Sequence, residues 1–180
     1  MGERRASVRC YLTAQEDVQM AAEQDSAPIE AALTALGATP LRLQALAAGS
    51  PEPRWRAQPL GDGWTAIEIL AHLRAADEIL APRLTQIAVH AEPFLIALDE
   101  RQWAEVVGFS RLTPAQLAHG LAARRKELLH WLRRLPAADW QRTGVHEAQG
   151  PVTLLGVAQH LAAHEAEHLE QIASVLAGPA

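Results

Sequence analysis

The feature that most constrains the fold is the spacing of apolar residues, which recur every three or four positions towards the end of the chain. An α-helix has 3.6 residues per turn, so this spacing places those residues on one helix face. The predicted helix starts at Thr153, after Gly150 and Pro151, and ends at Gly178 and Pro179. Two histidines stand among the apolar residues of its inward face, which consists of Leu154, Val157, Leu161, His164, His168, Ile172 and Val175.

A second helix is predicted to begin at Thr65, where the sequence fits a capping box. The Thr65 hydroxyl and the Glu68 carboxylate can each accept a hydrogen bond from a backbone N–H that the first turn leaves free. Pro82 is expected to kink this helix or to end its first part. The inward face of the helix is then Ile69, His72, Leu73, Ala76, Ile79 and Leu80.

A first helix is expected to begin at Ser26 and to break near Gly37 and Pro40, because both residue types weaken a helix interior. Residues 1–25 carry no helical or strand pattern of comparable strength. We therefore predict a loosely ordered leader over residues 1–25 and one folded domain over residues 26–180.

The remaining long helix is predicted to begin at the cap Thr113, with Pro114 at its first position, and to stop at Pro136. A shorter helix is expected within Asp99–Val107. No run alternates convincingly between apolar and polar residues, so no sheet is predicted. Four long helices joined by loops rich in proline and glycine predict an all-α fold, a four-helix bundle.

Composition excludes several classes of function. The chain has 180 residues, of which 49% are hydrophobic and 21% charged, and this composition is typical of a soluble globular domain. With a formal net charge of −5, the chain is not expected to bind nucleic acid. The basic run at residues 124–126 is predicted to be a solvated helix face. Charges interrupt every apolar run, so no membrane span is expected, and the single cysteine, Cys10, fits a reducing cytoplasm.

The histidines are the candidate functional residues. His164 and His168 are four residues apart, so on a helix their imidazoles lie one turn apart on one face and can hold one metal ion. His72 lies on the apolar face of the second helix. Buried imidazoles without partners are unfavourable, and a metal would use their neutral lone pairs. His160 stands one further turn before His164.

Residues 164–168 also match the H-E-x-x-H pattern of zinc peptidases, in which the glutamate is the general base. Those enzymes take a third ligand from further along the chain. Only Glu170 follows His168 as a candidate, and it lies on the wrong helix face. A third ligand must therefore come from upstream, and His72 is the best candidate.

A general base near such a metal would be a carboxylate or an imidazole. Glu165 is one candidate because it adjoins His164, and His160 is another. Alternatively, Glu165 is a surface residue that is solvated or forms a salt bridge. Asp77 is predicted to be a helix-surface charge, and Cys10, in the leader, is not expected to act as a nucleophile.

Two segments together resemble the DinB/YfiT-like superfamily. Residues 63–73, Gly-Trp-Thr-Ala-Ile-Glu-Ile-Leu-Ala-His-Leu, resemble its G-W-[ST]-x-x-E-x-x-x-H-[LI] segment. Residues 164–172, His-Glu-Ala-Glu-His-Leu-Glu-Gln-Ile, resemble its terminal H-x-x-x-H-x-x-Q-I segment. The resemblance covers about residues 28–178 and leaves the leader outside.

This resemblance implies a four-helix up-down-down-up bundle in which three histidines bind nickel or zinc. Carried over by position, the ligands are His72, His164 and His168, and His160 lines the pocket beside them. Some members of the superfamily are S-transferases or isomerases that depend on bacillithiol or mycothiol. Many others are named as metal-dependent hydrolases without a known substrate.

Three functions stay open at this point. Three histidines leave coordination positions for water or substrate, which favours a metal-dependent enzyme acting on a small molecule, either a hydrolase or a small-thiol S-transferase. The alternative is a non-catalytic stress-related protein that binds a metal or a small ligand. A third reading is a structural bundle with satisfied core histidines. A homodimer is also considered, because bundle faces often pair.

Overall fold

Four long helices lie side by side in the computed structural model, which describes residues 3–59 and 63–178, with side chains from residue 26 onward. Two shorter helices lie in the connections between them. In chain order the helices are α1 (Glu3–Gly49), α2 (Glu52–Arg56), α3 (Ala66–Val89), α4 (Glu100–Val107), α5 (Pro114–Leu132) and α6 (Leu154–Ala177). None of the described helices combines the length and the apolar character needed to cross a membrane. The prediction of an all-α four-helix bundle is confirmed.

Helices α1 and α6 run parallel. The Arg125 guanidinium joins the Leu36 carbonyl of α1 to the Glu165 carboxylate of α6. Further along both helices, Arg42 of α1 donates to Glu170 of α6 at 2.5 Å. Contacts therefore progress in the same direction along the two helices.

Helices α3 and α5 also run parallel to each other, because Arg74 lies beside Gly120 and Asp77 binds Arg124. The C-terminal half of α3 meets the N-terminal half of α6, so these two helices are antiparallel. The order is therefore up-down-down-up, as the family resemblance implied. The shared apolar cluster of this α3–α6 contact includes Leu80, Leu84, Ile87, Leu154, Val157 and Leu161.

Two apolar clusters fill the interior, one towards each end of the bundle. The first contains the fully buried side chains of Leu36, Leu132 and Trp140, among others. The second contains Leu43, Trp55 and Leu117, among others. Between the clusters, α3 and α6 face each other at the level of the histidines.

The predicted helix starts at Thr65, Thr113 and Thr153 are confirmed, since each is an N-cap whose side chain accepts a backbone hydrogen bond. Thr65 and Glu68 form the predicted capping box: Glu68 Oε2 accepts from the Thr65 N–H at 2.8 Å. The cap fixes where α3 begins, and His72 follows two turns later.

The predicted start at Ser26 and the predicted break near Gly37 and Pro40 were wrong, because α1 is continuous through all three. Leu36 and Leu43 are fully buried on either side of Pro40. Burying two leucines contributes about 1.5–3 kcal/mol each, which outweighs the roughly 3 kcal/mol that an internal proline costs. The side chains of residues 3–25 lie outside the described residues, so the leader boundary at residue 25 stays a prediction.

Helix α3 likewise continues through Pro82 to Val89, although Pro82 was expected to kink it or end its first part. Ile79 and Leu84 are buried on either side of the proline. Their burial offsets the loss of one backbone hydrogen bond in the same way.

The prediction that no sheet forms was wrong. Three short strands, β1 (Phe94–Leu95), β2 (Thr143–His146) and β3 (Gly150–Thr153), form a small sheet in which β2 pairs parallel with β1 and antiparallel with β3. Strands of two to four residues are too short to show a two-residue period. Gly144 permits close packing, since a Cβ there would lie 3.1 Å from the Pro93 carbonyl oxygen.

Candidate metal centre

The structure brings His72 of α3 together with His164 and His168 of α6. The His164 Nε2 atom lies 3.0 Å from His72 Nε2 and 3.1 Å from His168 Nε2. All three candidate ligand atoms lie within 4.8 Å of one another. Two nitrogens bound to one zinc ion at about 2.0–2.1 Å would lie roughly 3–3.4 Å apart. The closest nitrogen separations thus fit a shared divalent metal.

The protonation of these imidazoles favours metal binding. Burial and, in decreasing order of effect, the neighbouring His168, His72 and His160 together lower the pKa of His164 to about 4. Burial likewise lowers the pKa of His72, with His168 adding to the effect. His164 is therefore neutral at pH 7, when its lone pair is free to bind a metal.

Packing, more than hydrogen bonding, orients two of the three rings. The Nδ1 atoms of His72 and His164 are buried and have no hydrogen-bond partner among the described residues. The Trp64 ring meets His72 edge-on, with 5.2 Å between ring centroids. The Nε2 atoms of His72 and His164 are then the ones that point towards each other.

Gln171 orients the third ring. Its side-chain Oε1 lies 2.7 Å from His168 Nδ1, and its amide nitrogen lies 3.4 Å from Glu167 Oε1. An amide oxygen only accepts, so it holds the proton on Nδ1 and leaves the Nε2 lone pair of His168 free. Gln171 belongs to the H-x-x-x-H-x-x-Q-I segment, yet the sequence alone gave it no role. Its position three residues after His168 on a helix was the available signal.

The structure does not bring Glu165, a predicted general base, to the three imidazoles. Glu165 is fully buried, and its carboxylate accepts two hydrogen bonds from Arg125. The same guanidinium donates to Asp77 Oδ1 at 3.1 Å and to the Leu36 carbonyl at 3.0 Å. This position fits a structural ion pair inside the bundle better than proton transfer at the metal centre.

Two predictions about charge were wrong. Asp77 was expected on the helix surface, but its side chain is fully buried and also accepts from Arg124 Nε at 2.6 Å. Arg125 was expected on a solvated face, but it is also fully buried. Both lie inside because their charges oppose each other across the α3–α5 contact.

His160, the other candidate base, lies at the rim of the centre. It is exposed, and its ring centroid is 6.2 Å from that of His164. This is where the sequence predicted a pocket-lining neighbour. The distance puts His160 near the centre without making it part of the three-nitrogen cluster.

Acidic residues at the start of α4 also affect the electrostatics of the centre, and they were not predicted from the sequence. The negative charges of Glu100 and Asp99 raise the pKa of His72, against the larger lowering by burial and His168. The proximity arises because α4 packs on α3. No spacing in the sequence links these residues to His72.

A cavity of about 90 Å³ opens beside His72. Its wall combines the Trp64 ring with Glu68, Arg101 and Glu105. The Arg101 guanidinium lies over the Trp64 ring, 5.4 Å from the ring centroid. A small polar molecule could therefore reach His72 from this side.

Comparisons with known proteins agree with this geometry. Residues 35–172 match the model of the DinB superfamily. The chain is 27% identical over 114 residues to "Putative metal-dependent hydrolase OB0782" of Oceanobacillus iheyensis. The matched region covers 63% of this chain and 65% of that protein. The chain thus spans slightly less than two thirds of the length of this relative.

Solved structures with the same fold include YfiT from Bacillus subtilis, described as a probable metal-dependent hydrolase with an unusual four-helix bundle topology. The TM-score is 0.74 at 19% identity, over 82% of this chain and 85% of YfiT. A mycothiol-dependent maleylpyruvate isomerase matches with a TM-score of 0.62 at 18% identity, over 80% of this chain and 60% of the isomerase. At these identities the likeness concerns the fold.

Proposed function

Because the chain belongs to the DinB superfamily, we propose that it is a metal-dependent enzyme whose ligands are His72, His164 and His168. The observation that carries this proposal is the convergence of three imidazole nitrogens within 4.8 Å at the edge of a cavity. Structural zinc sites usually have four protein ligands, whereas catalytic sites usually have three. A set of three histidines therefore favours a centre that also takes water or substrate.

The cofactor we propose is a divalent transition metal, nickel or zinc. Neutral imidazole suits both ions. When bound, such an ion lowers the pKa of a water or thiol and polarises a carbonyl or similar group. The chain's own residues hold and orient the ligands: Gln171 fixes the His168 tautomer, and Trp64 packs against His72.

Two reaction classes agree with the centre and with the names of similar proteins. Hydrolysis is favoured by the Oceanobacillus iheyensis protein, whose name is "Putative metal-dependent hydrolase OB0782", and by YfiT, which is described as a "probable metal-dependent hydrolase". Transfer to a small thiol is favoured by the mycothiol-dependent isomerase of the same fold. In either class His160, at the rim, is the residue we propose to accept or return a proton, in preference to the buried Glu165.

The experiment loads the purified protein with nickel or zinc and assays both classes in parallel. Ester and amide hydrolysis are measured beside conjugation of bacillithiol, mycothiol and glutathione. We expect metal-dependent turnover in one class, lost in His164→Ala and kept in His119→Ala, whose histidine is exposed on α5. A metal-loaded protein without turnover in any assay would favour the alternative, a non-catalytic metal or small-ligand binding protein.

Assembly and location are proposals of the same kind. We propose a cytoplasmic protein that acts on a small molecule and binds no nucleic acid, on the basis of its composition and net charge of −5. A homodimer is tested directly by light scattering of the metal-loaded protein. A monomer mass at micromolar concentration would contradict it.

A further inference from the structure

A second cavity is lined by side chains that are positively charged or can donate hydrogen bonds. It has a volume of about 180 Å³ and lies between α3, the β2–β3 hairpin and the first turns of α6. Arg83, His146, Gln149 and His160 provide its polar wall, and apolar residues such as Leu80 complete it. Within the described chain, no carboxylate lines this cavity.

Arg83 is held in place by a backbone carbonyl and makes no ion pair with a described residue, although the negative charge of Glu100 acts on it from a distance. Its Nη2 donates to the Ile96 carbonyl at 2.8 Å, and the side chain is half-buried. Among the described residues no carboxylate pairs with it, whereas Arg74, Arg124 and Arg125 each pair with an acidic side chain. The remaining guanidinium N–H groups of Arg83 are therefore free to bind an anion.

His146 adds a donor whose tautomer is fixed by the backbone. It is a buried residue of β2, and its Nδ1 accepts from the Ala148 N–H at 3.2 Å. In the neutral ring the proton must then reside on Nε2. Within the described residues, Nε2 has no protein partner, so it can donate to a ligand in the cavity.

His160 links this cavity to the metal centre. It lines the cavity wall, and its ring centroid is 6.2 Å from that of His164. A molecule anchored beside Arg83 and His146 would extend past His160 towards the three-histidine cluster. His160 thus borders both the cavity and the three-histidine cluster.

We infer that the Arg83 cavity binds the carboxylate of a small anionic substrate whose reacting group reaches the three histidines. A planar carboxylate matches the two parallel N–H groups of a guanidinium and can accept a third hydrogen bond from His146 Nε2. The inference rests on the proposed function, because it names the substrate class of that metal centre. It assigns Arg83 and His146 to substrate binding.

The test is calorimetric titration of benzoate and of its neutral isostere benzamide into the full-length protein. Titration of the metal-free protein excludes direct binding of benzoate to the metal, and the nickel-loaded protein is titrated in parallel. We expect benzoate to bind both forms and Arg83→Met to weaken it about 10-fold or more, with benzamide unaffected. Arg101→Met, which alters the other cavity, is the matched control and should leave benzoate affinity unchanged.

Arg83→Lys and His146→Gln keep the test informative if Arg83→Met fails to fold, and each should weaken benzoate binding to a smaller extent. Equal affinity for benzoate and benzamide, or tighter binding of inorganic phosphate, would overturn the inference. Turnover of neutral esters without benzoate binding would overturn this inference and leave the proposed function standing. Benzoate binding that depends on Arg83, without turnover, would support the site and count against the proposed function.

Discussion

The Arg125 guanidinium of α5 binds the Glu165 carboxylate of α6; both side chains are fully buried, and Glu165 directly follows the candidate ligand His164. Arg125 also binds Asp77 of α3 and the Leu36 carbonyl of α1. One cation therefore joins all four long helices at the level of the metal centre. Losing it would leave two buried carboxylates without their shared partner.

We expect Arg125→Met to destabilise the protein by about 3–5 kcal/mol, because removing one partner of a buried pair leaves an uncompensated charge. Unfolding by urea, followed by circular dichroism, measures the change. Arg133→Met, in an exposed position at the end of α5, is the control and should change stability by less than about 0.5 kcal/mol. Equal stability of the two variants would contradict a structural role for the pair.

Glu165→Gln separates structural from catalytic roles of this residue. The amide can still accept a hydrogen bond from Arg125 but lacks the charge, so we expect a loss of roughly 1–3 kcal/mol of stability. Metal content and the turnover number of the folded variant should stay close to those of the unchanged protein. A folded Glu165→Gln protein with normal stability and no turnover would instead identify Glu165 as a general base.

Each proposed ligand can be tested by metal binding alone. His72→Ala, His164→Ala and His168→Ala should each weaken nickel or zinc binding on the order of 100-fold or more, since outer-shell changes already cost 10–100-fold. Calorimetry and elemental analysis of the purified variants measure this. His160→Ala should retain the metal, because its ring lies outside the three-nitrogen cluster. Full metal binding by His72→Ala would exclude the three-histidine assignment.

Gln171→Leu should weaken metal binding by about 10–100-fold, since the hydrogen bond that fixes the His168 tautomer is lost. The effect should appear as a higher dissociation constant with little change in unfolding free energy. Gln159→Leu, in an exposed position on the same helix, provides the matched control. Identical affinities of the two variants would show that Gln171 does not orient His168.

The stability of the metal-free protein should fall as the pH is lowered from about 6.5 to about 4. The pKa of His164 is about 4 in the folded chain and has its ordinary value of 6.5 when the chain is unfolded. Between these values the unfolded chain binds a proton that the folded chain does not, which favours unfolding. The contribution of neutral His164 to the free energy of unfolding is thus fully present above pH 6.5 and is lost as the pH falls to 4.

Urea unfolding in the presence of a chelator, repeated across this pH range, measures the effect. The variant His164→Gln lacks the titrating ring, so its stability should depend less steeply on pH. A slope equal to that of the unchanged protein would mean that another group causes the loss.

Local signals in the sequence predicted the helix starts and the histidine pair. The caps Thr65 and Thr113 depend only on contacts within three residues, and His164 and His168 are only four residues apart. These features need no knowledge of the rest of the fold. The helices α3, α5 and α6 were therefore predicted from interactions that span only one or two helical turns.

Ion pairs between residues far apart in the sequence could not be predicted from such local signals. Asp77 and Arg125 are 48 residues apart, and Arg125 and Glu165 are 40 apart. On its own helix each looks like an ordinary surface charge, and only packing of the helices brings the three together. The proposed anion-binding site at Arg83 and His146 could not be predicted for the same reason, since the β2–β3 hairpin joins α3 only in the folded protein.

The sequence separation of 92 positions between His72 and His164 has a consequence for the synthesis of the protein in a cell. During translation, the emerging chain holds only one of these three imidazoles until α6 is synthesised. A stalled or proteolytically clipped polypeptide that lacks α6 would carry His72 alone and could not retain the ion. Metal binding at the proposed three-histidine centre therefore requires that α6 has been synthesised and kept.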